Sequence, residues 1–256
     1  NCSEQTNLVI RRMMMQFLKV DKLSKSFGGL KAVNNLDFQI NEGEIVGIIG
    51  PNGSGKTTFL NLITGFLKPN SGSINFRGEE ISRLPRYKVC NKGIARTFQL
   101  CKPFMDFTAI QNVMVGRVYG QQPSENLRLA EKESLEILDQ VGLGNKAFIQ
   151  VKDLTVMERK KLELARALAT KPYLLLLDEL MAGLNLVEAG EVCKLITRIR
   201  DSHVTIVLVE HIVKAVTCVS DRVMVLNMGE KIAEGAPDEI VHNPKVIEVY
   251  LGTTHA

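Results

Sequence analysis

The chain has 256 residues, 45% apolar and 23% charged, with a formal net charge of +4. That is the balance of a soluble globular protein with room for one large domain, or a core carrying a subdomain. Trp is absent and aromatics are 5%, so no base-stacking platform suggests itself, and five scattered cysteines without a C-x-x-C pair fit a reducing compartment rather than a disulfide framework.

In the opening stretch NCSEQTNLVIRRMMMQF the basic pair follows the apolar patch, the reverse of a signal peptide, and residues 1–14 are set aside as a leader of unknown status. QFLKVDKLSKSF and NLDFQI alternate like strands of an antiparallel sheet. EIVGIIG is a short continuous apolar run, the pattern of a buried strand, and KTTFLNLITGF after it reads as a helix. GSINFRG and GIARTF, the latter ending at residue 98, add two further strands. From residue 100 to 153 the character turns helical, in TAIQNVMVG and SENLRLAEKESLEILDQVGL, and a helix from about 155 to 170 feeds the strand YLLLLDE. Helix and strand then alternate through LVEAGEVCKLITRIRD, VTIVLVEH, IVKAVTCVS and RVMVLN, the order of a parallel sheet with crossover helices. LNMGEKIAEG closes as a hairpin and NPKVIEVYLG as a last helix. The expected fold is an α/β core with an antiparallel β subdomain and a helical insert. No apolar run reaches the ~20 residues that a membrane helix needs.

GPNGSGKT, Gly50 to Thr57, matches G-x-x-x-x-G-K-[ST] and stands between a strand and a helix. Gly50, Gly53 and Gly55, with Pro51, Asn52 and Ser54 between them, let backbone N–H groups turn inward around phosphates, and the helix start at Lys56, Thr57 and Thr58 adds positive potential. Lys56 is placed to reach β- and γ-phosphates and Thr57 to ligate Mg²⁺. LLLLDE puts Asp178 at the end of a buried strand, where it can hold Mg²⁺ through water, and Glu179 beside it, where it can polarise an attacking water.

The order of phosphate loop, TFQ, LLLLDE, AGLN and EH resembles the ATP-binding-cassette ATPases. The resemblance runs over residues 17–252 as a single ATPase domain, with residues 100–170 as the helical subdomain within it. It implies ATP and Mg²⁺ as ligands, Gln99 as the glutamine that senses metal and water, and His211 as the switch histidine at the γ-phosphate. It implies that Ala182 to Asn185 cross to a partner subunit and that Phe27, 29 residues before Lys56, stacks on adenine. ITGFLKPNSG, GIARTFQ, AGLN and the tail GEKIAEGAPDEIVHNPKVIEVYLG look like the branched-chain amino acid importers, and the tail is also similar to urea and amide importers. The family partners are a second ATPase subunit, membrane permease subunits and, indirectly, a solute-binding protein. Nucleic acid is not expected, because cassette ATPases that act on it usually carry two cassettes or long arms in one chain. The expected place is the cytoplasmic face of the cell membrane, as a peripheral subunit, with residues 100–153 docking the permease.

The family's Leu-Ser-Gly-Gly-Gln signature falls here on LTVME, with Leu154 24 residues before Asp178. Thr155 keeps a hydroxyl, and Thr155-x-x-Glu158 has the spacing of a capping box, so the helix starts well. Val156 and Met157 replace two glycines whose use is close backbone approach, and Glu158 is expected to put a carboxylate near phosphate. Leu180 also replaces a common proline and Asn185 a common aspartate. The expectation is a divergent but tolerated signature, and pairing with a different chain rather than with a second copy. A subunit that binds nucleotide but turns over poorly is the alternative.

Overall fold

The structure, a computed structural model, describes residues 17–98, 103–211 and 213–251; the leader at 1–14 and Gln99 lie outside the described residues. Strands β1 (Leu18–Phe27) and β2 (Leu30–Ile40) pair antiparallel, and β3 (Ile45–Ile49) leads into α1 (Lys56–Ile63). Next come β4 (Ser71–Phe76), β5 (Glu79–Glu80), α2 (Arg86–Asn91) and β6 (Ile94–Arg96). The helical stretch holds α3 (Ala109–Tyr119), α4 (Leu127–Gln140) and α5 (Val156–Ala169). After it run β7 (Leu174–Asp178), α6 (Leu186–Asp201), β8 (Thr205–Val209), α7 (Val213–Thr217), β9 (Arg222–Asn227), β10 (Glu230–Gly235), α8 (Pro237–Val241) and α9 (Pro244–Leu251). Three elements go beyond the sequence reading, β5, α2 and α8; all are too short to show a period. The strand read through Phe98 ends at Arg96, where its parallel pairing with β7 stops.

The first sheet is antiparallel, in the order β2-β1-β4-β5. The second runs β10-β9-β3-β8-β7-β6 and is parallel except for the closing β9–β10 hairpin. This is the α/β architecture expected from the sequence.

The continuous apolar runs have a physical reason. Strand side chains alternate between faces, and β3, β7 and β8 are covered on both. Ile45, Ile49, Leu175, Leu177, Ile206 and Leu208 pack into a core shared with α3 to α6. Val46, Ile48, Leu174, Leu176, Val207 and Val209 point the other way, into a core with α1 and the antiparallel sheet. Each such side chain contributes about 2 kcal/mol by leaving water. In the helical stretch α3 packs on α4 and α5. The buried amide of Asn112 donates to the carbonyls of Phe104 and Thr108 and accepts from the Phe104 N–H. That clamp holds Phe104 and Phe107 half-exposed on the surface, with their rings 5.3 Å apart.

Candidate functional site

Three parallel strands, β3, β8 and β7, lie side by side, so their carboxyl ends form one edge. Ligands of open α/β sheets bind at such an edge. The loop after β3 carries Gly50 to Gly55. A side chain on Gly50 would stand 2.1 Å from the Leu226 carbonyl, and one on Gly55 2.3 Å from that of Ala32. Only glycine permits these approaches, and both residues have positive φ (155° and 105°). Lys56 is almost fully buried, and its ammonium donates to the carbonyls of Gly50 (2.7 Å) and Pro51 (3.0 Å). Burial pushes its pKa below the ordinary lysine value, while the nearby carboxylates of Glu179 and Asp178 oppose that shift. Among the described residues no side chain caps α1, and its first turn holds no acid. Its first N–H groups therefore face outward with the helix dipole behind them, as an anion site requires. The buried Ser54 Oγ has no hydrogen-bond partner among the described residues. Thr57 and Thr58 follow in the first turn of α1.

Asp178 ends β7 in a buried position. Its Oδ2 takes an ion pair from Arg96 Nη2 at 2.6 Å, and its Oδ1 is buried with no partner among the described residues. That open oxygen and Ser54 Oγ are what a metal-bound triphosphate would satisfy. Glu179 sits in the left-handed region (φ 50°), with its N–H held by the Val209 carbonyl at 2.9 Å. A carboxylate residue at positive φ is strained, and such strain concentrates at functional sites.

At the end of β8, His211 is half-exposed and its Nδ1 stands 3.9 Å from Glu210 Oε2. Glu210 is fully buried, its Oε1 accepts the Met181 N–H at 2.7 Å, and burial pushes its carboxyl up to about 7. It thus ties β8 to the segment that follows Glu179. Sequence reading assigned no role to Glu210 or Arg96; a charged residue ending each of two apolar strands was the available signal. Lys160 was also missed. From α5 it donates to the carbonyls of Leu180 (2.8 Å) and Ala182, clamping the loop that leads to Asn185.

Phe27 is half-exposed at the tip of the β1–β2 hairpin, with Lys25 over its ring, and Ala32 on the same hairpin closes against Gly55. At LTVME, Thr155 caps α5 and the capping box is complete. The Glu158 N–H donates to Thr155 Oγ1 (3.3 Å) and the Thr155 N–H to Glu158 Oε2 (2.8 Å). The Glu158 carboxylate is thus turned into its own helix start, with Lys146 3.7 Å away, and the Thr155 N–H holds its pKa below the usual carboxylate range. Val156 is exposed, whereas Met157 packs against the core. A largely apolar groove of about 760 Å³ opens between the sheet edge and the helical stretch, lined by Thr57, Phe66, Tyr87, Phe98, Glu163 and Asp178 among others.

A phosphate loop and an acidic pair on neighbouring ends of one parallel sheet define a P-loop ATPase. The ABC transporter family matches residues 33–182, and the description "Branched-chain amino acid ATP-binding cassette transporter" matches residues 230–256. The chain belongs to the ABC transporter family, and is an ATPase of that family. It is 39% identical over 253 residues to the high-affinity branched-chain amino acid transport ATP-binding protein BraF of Pseudomonas aeruginosa, covering 94% of this chain and 99% of that one. It is 41% identical, with the same coverage, to the LivG protein of the same description from Salmonella typhimurium. Among solved structures, the ADP conformation of MJ1267, an ATP-binding cassette of an ABC transporter, is similar with a TM-score of 0.85 and 29% identity, over 93% of this chain and all of that one.

Proposed function

We propose that this chain binds and hydrolyses ATP to power a membrane importer whose cargo is a branched-chain amino acid. The observation that carries the reading is the sheet edge, where Lys56, Asp178, Glu179 and His211 stand at the ends of adjacent strands beside an uncapped helix start. Lys56, the loop amides and Ser54 Oγ grip the phosphates, and Phe27 stacks on the adenine. Thr57 and Asp178, with Gln99, would hold Mg²⁺, whose chemistry is to neutralise charge on the β- and γ-phosphate oxygens. Among the described residues no cluster of His, Cys, Asp and Glu forms a metal site alone. Mg²⁺ is usually bound by one or two protein groups together with substrate phosphates. Glu179 positions and polarises the attacking water, and His211 contacts the γ-phosphate.

In this reading residues 17–252 work as one ATPase domain with residues 100–170 as its helical subdomain. No helix of the described residues is long and apolar enough to cross a membrane. In this reading permease subunits carry the path. The apolar groove and the neighbouring Phe104 and Phe107 receive the permease, which holds the subunit at the cytoplasmic face of the membrane. A second ATPase chain supplies the opposing signature, and that chain is a different one, because two copies of this chain would put Val156 and Met157 in both nucleotide sites. A solute-binding protein acts upstream of the permease.

Uptake by cells lacking this chain provides the test. Labelled leucine, isoleucine or valine uptake should fall and recover with the parent chain but not with Glu179→Gln. Recovery of urea or amide uptake instead would assign the other cargo class, and unchanged uptake of all of them would overturn the importer reading.

A further inference from the structure

Cys193 and Cys218 have no part in the nucleotide site. One lies within α6 and the other directly follows α7, yet their sulfurs stand 2.9 Å apart. A disulfide measures ~2.05 Å, so closure needs about 0.9 Å of approach, within reach of small side-chain rotations. Both thiols are held by packed neighbours. Val192, Leu195 and Ile196 bury the inner face of α6. Val216 of α7 lies over Gly47, where an added side chain would meet its Cγ1 at 2.1 Å. The two sulfurs also approach one acceptor, the Ala215 carbonyl, at 3.9 and 3.3 Å.

We propose that Cys193 and Cys218 form a redox-sensitive dithiol, closed to a disulfide by a low-molecular-weight disulfide such as oxidised glutathione, and that closure slows the ATPase. Cys218 is exposed and Cys193 half-buried, so Cys218 meets the oxidant first. Its thiolate attacks one sulfur of the oxidant, whose S–S bond breaks, and one glutathione leaves as the thiolate. Cys193 then loses its proton to solvent and attacks the Cys218 sulfur, expelling the second glutathione. Two protein thiols are oxidised by two electrons, and one oxidant disulfide becomes two thiols. Burial pushes the Cys193 thiol up to about 12, and its contact with Cys218 adds to the shift. Once Cys218 carries glutathione it holds no charge, and that part of the resistance to forming the Cys193 thiolate disappears.

The effect on turnover follows from what the bond would join, and it rests on the ATPase reading above. Helix α6 begins directly after the Ala182–Asn185 loop, and α7 begins two residues after His211. Met181, whose N–H is held by Glu210, has its sulfur 4.0 Å from Cys193 Sγ. The cross-link would therefore join the helix that follows the Ala182–Asn185 loop to the one that follows His211, coupling the two segments that flank the site. In a reducing compartment such a bond is transient and regulatory rather than structural.

The test is non-reducing peptide mapping of the full chain in graded glutathione redox buffers, with ATPase activity of the assembled complex read in parallel. The expected result is a Cys193–Cys218 linked peptide, a several-fold fall in turnover in step with it, and full recovery in dithiothreitol. Cys218→Ser, at an exposed position, should give neither the link nor the fall, and Cys193→Ala should behave the same if it folds. Finding the two residues only as free thiols or separate glutathione adducts would overturn the dithiol. A stoichiometric link with unchanged turnover, or an equal loss in Cys218→Ser, would overturn its control of the enzyme. Reduced complex without ATPase activity would instead sink the ATPase reading, while the peptide map would still judge the dithiol.

Discussion

Helices α1 and α5 both begin at the proposed nucleotide surface, and their first turns are built in opposite ways. At α1 the N-cap is Gly55 in the left-handed region, no side chain among the described residues caps the turn, and no acid stands in it. At α5 Thr155 and Glu158 satisfy each other's backbone N–H groups, which leaves a carboxylate within the first turn. The same helix-start chemistry therefore yields an open anion site in one place and a self-closed one in the other. Open donors cost local helix stability and gain a ligand; the capping box gains stability and gives up donors. That contrast is the physical content of the departure at LTVME, and under the proposed pairing with a different chain it would make the two nucleotide sites unequal.

The largest expected effect lies on the open side. Glu179→Gln should leave nucleotide binding intact and cut turnover by ~10²–10⁴, the worth of a positioned base. Steady-state hydrolysis beside binding of a fluorescent ATP analogue checks it, and parental turnover would remove Glu179 from the role. Under the proposed pairing with a different ATPase chain, the same change here should cost more activity than its equivalent in the partner; a homodimer of this chain with full ATPase activity would overturn that pairing.

Glu210 gives the next effect, read as stability against pH. Its folded pKa is raised from 4.5 to about 7 by burial, so its favourable contribution is complete below pH 4.5 and is lost as pH rises through about 7. The gap corresponds to roughly 3 kcal/mol. Glu210→Gln keeps an acceptor for the Met181 N–H, so urea midpoints of parent and variant should diverge by that order between pH 4.5 and 8, with the variant ahead at high pH. Parallel midpoints would mean that the carboxyl is not desolvated.

Lys56→Ala should weaken nucleotide affinity by roughly 10- to 100-fold, from the ~1.5–3 kcal/mol of hydrogen bonds to charged groups, as titration calorimetry would show. On the closed side the effects are smaller. Thr155→Ala removes the cap of α5 and should lower stability by about 1 kcal/mol in chemical denaturation, with little change in binding to this chain's own phosphate loop. Glu158→Gln keeps the capping geometry and removes the charge, so it should cost only a few tenths of a kcal/mol while speeding the weaker site of the heterodimer. If Glu158→Gln left that site unchanged, the block would lie with Val156 and Met157 rather than with charge.

What the sequence settled by itself was whatever depends on neighbours in the chain. The phosphate loop was legible because its glycines, lysine and threonine act through contiguous backbone. The strands β3, β7 and β8 were legible as apolar runs because burial on both faces leaves no polar position. The capping box at Thr155 and Glu158 needed only a three-residue spacing. Which groups the Glu158 carboxylate meets within the fold was not legible from that spacing alone: the folded chain turns it into its own helix start beside Lys146. The tertiary structure decided everything set by strand order. It placed β8 between β3 and β7, so that Glu210 and His211 stand beside the acidic pair. It also brought Arg96 to Asp178, Lys160 to the carbonyls of Leu180 and Ala182, and Cys193 to Cys218. Those pairs join residues 82, 20 and 25 positions or so apart, and no local periodicity encodes them. They exist because two-sided burial of the parallel strands fixes which chain ends share an edge, and side chains at that edge then find their partners across it.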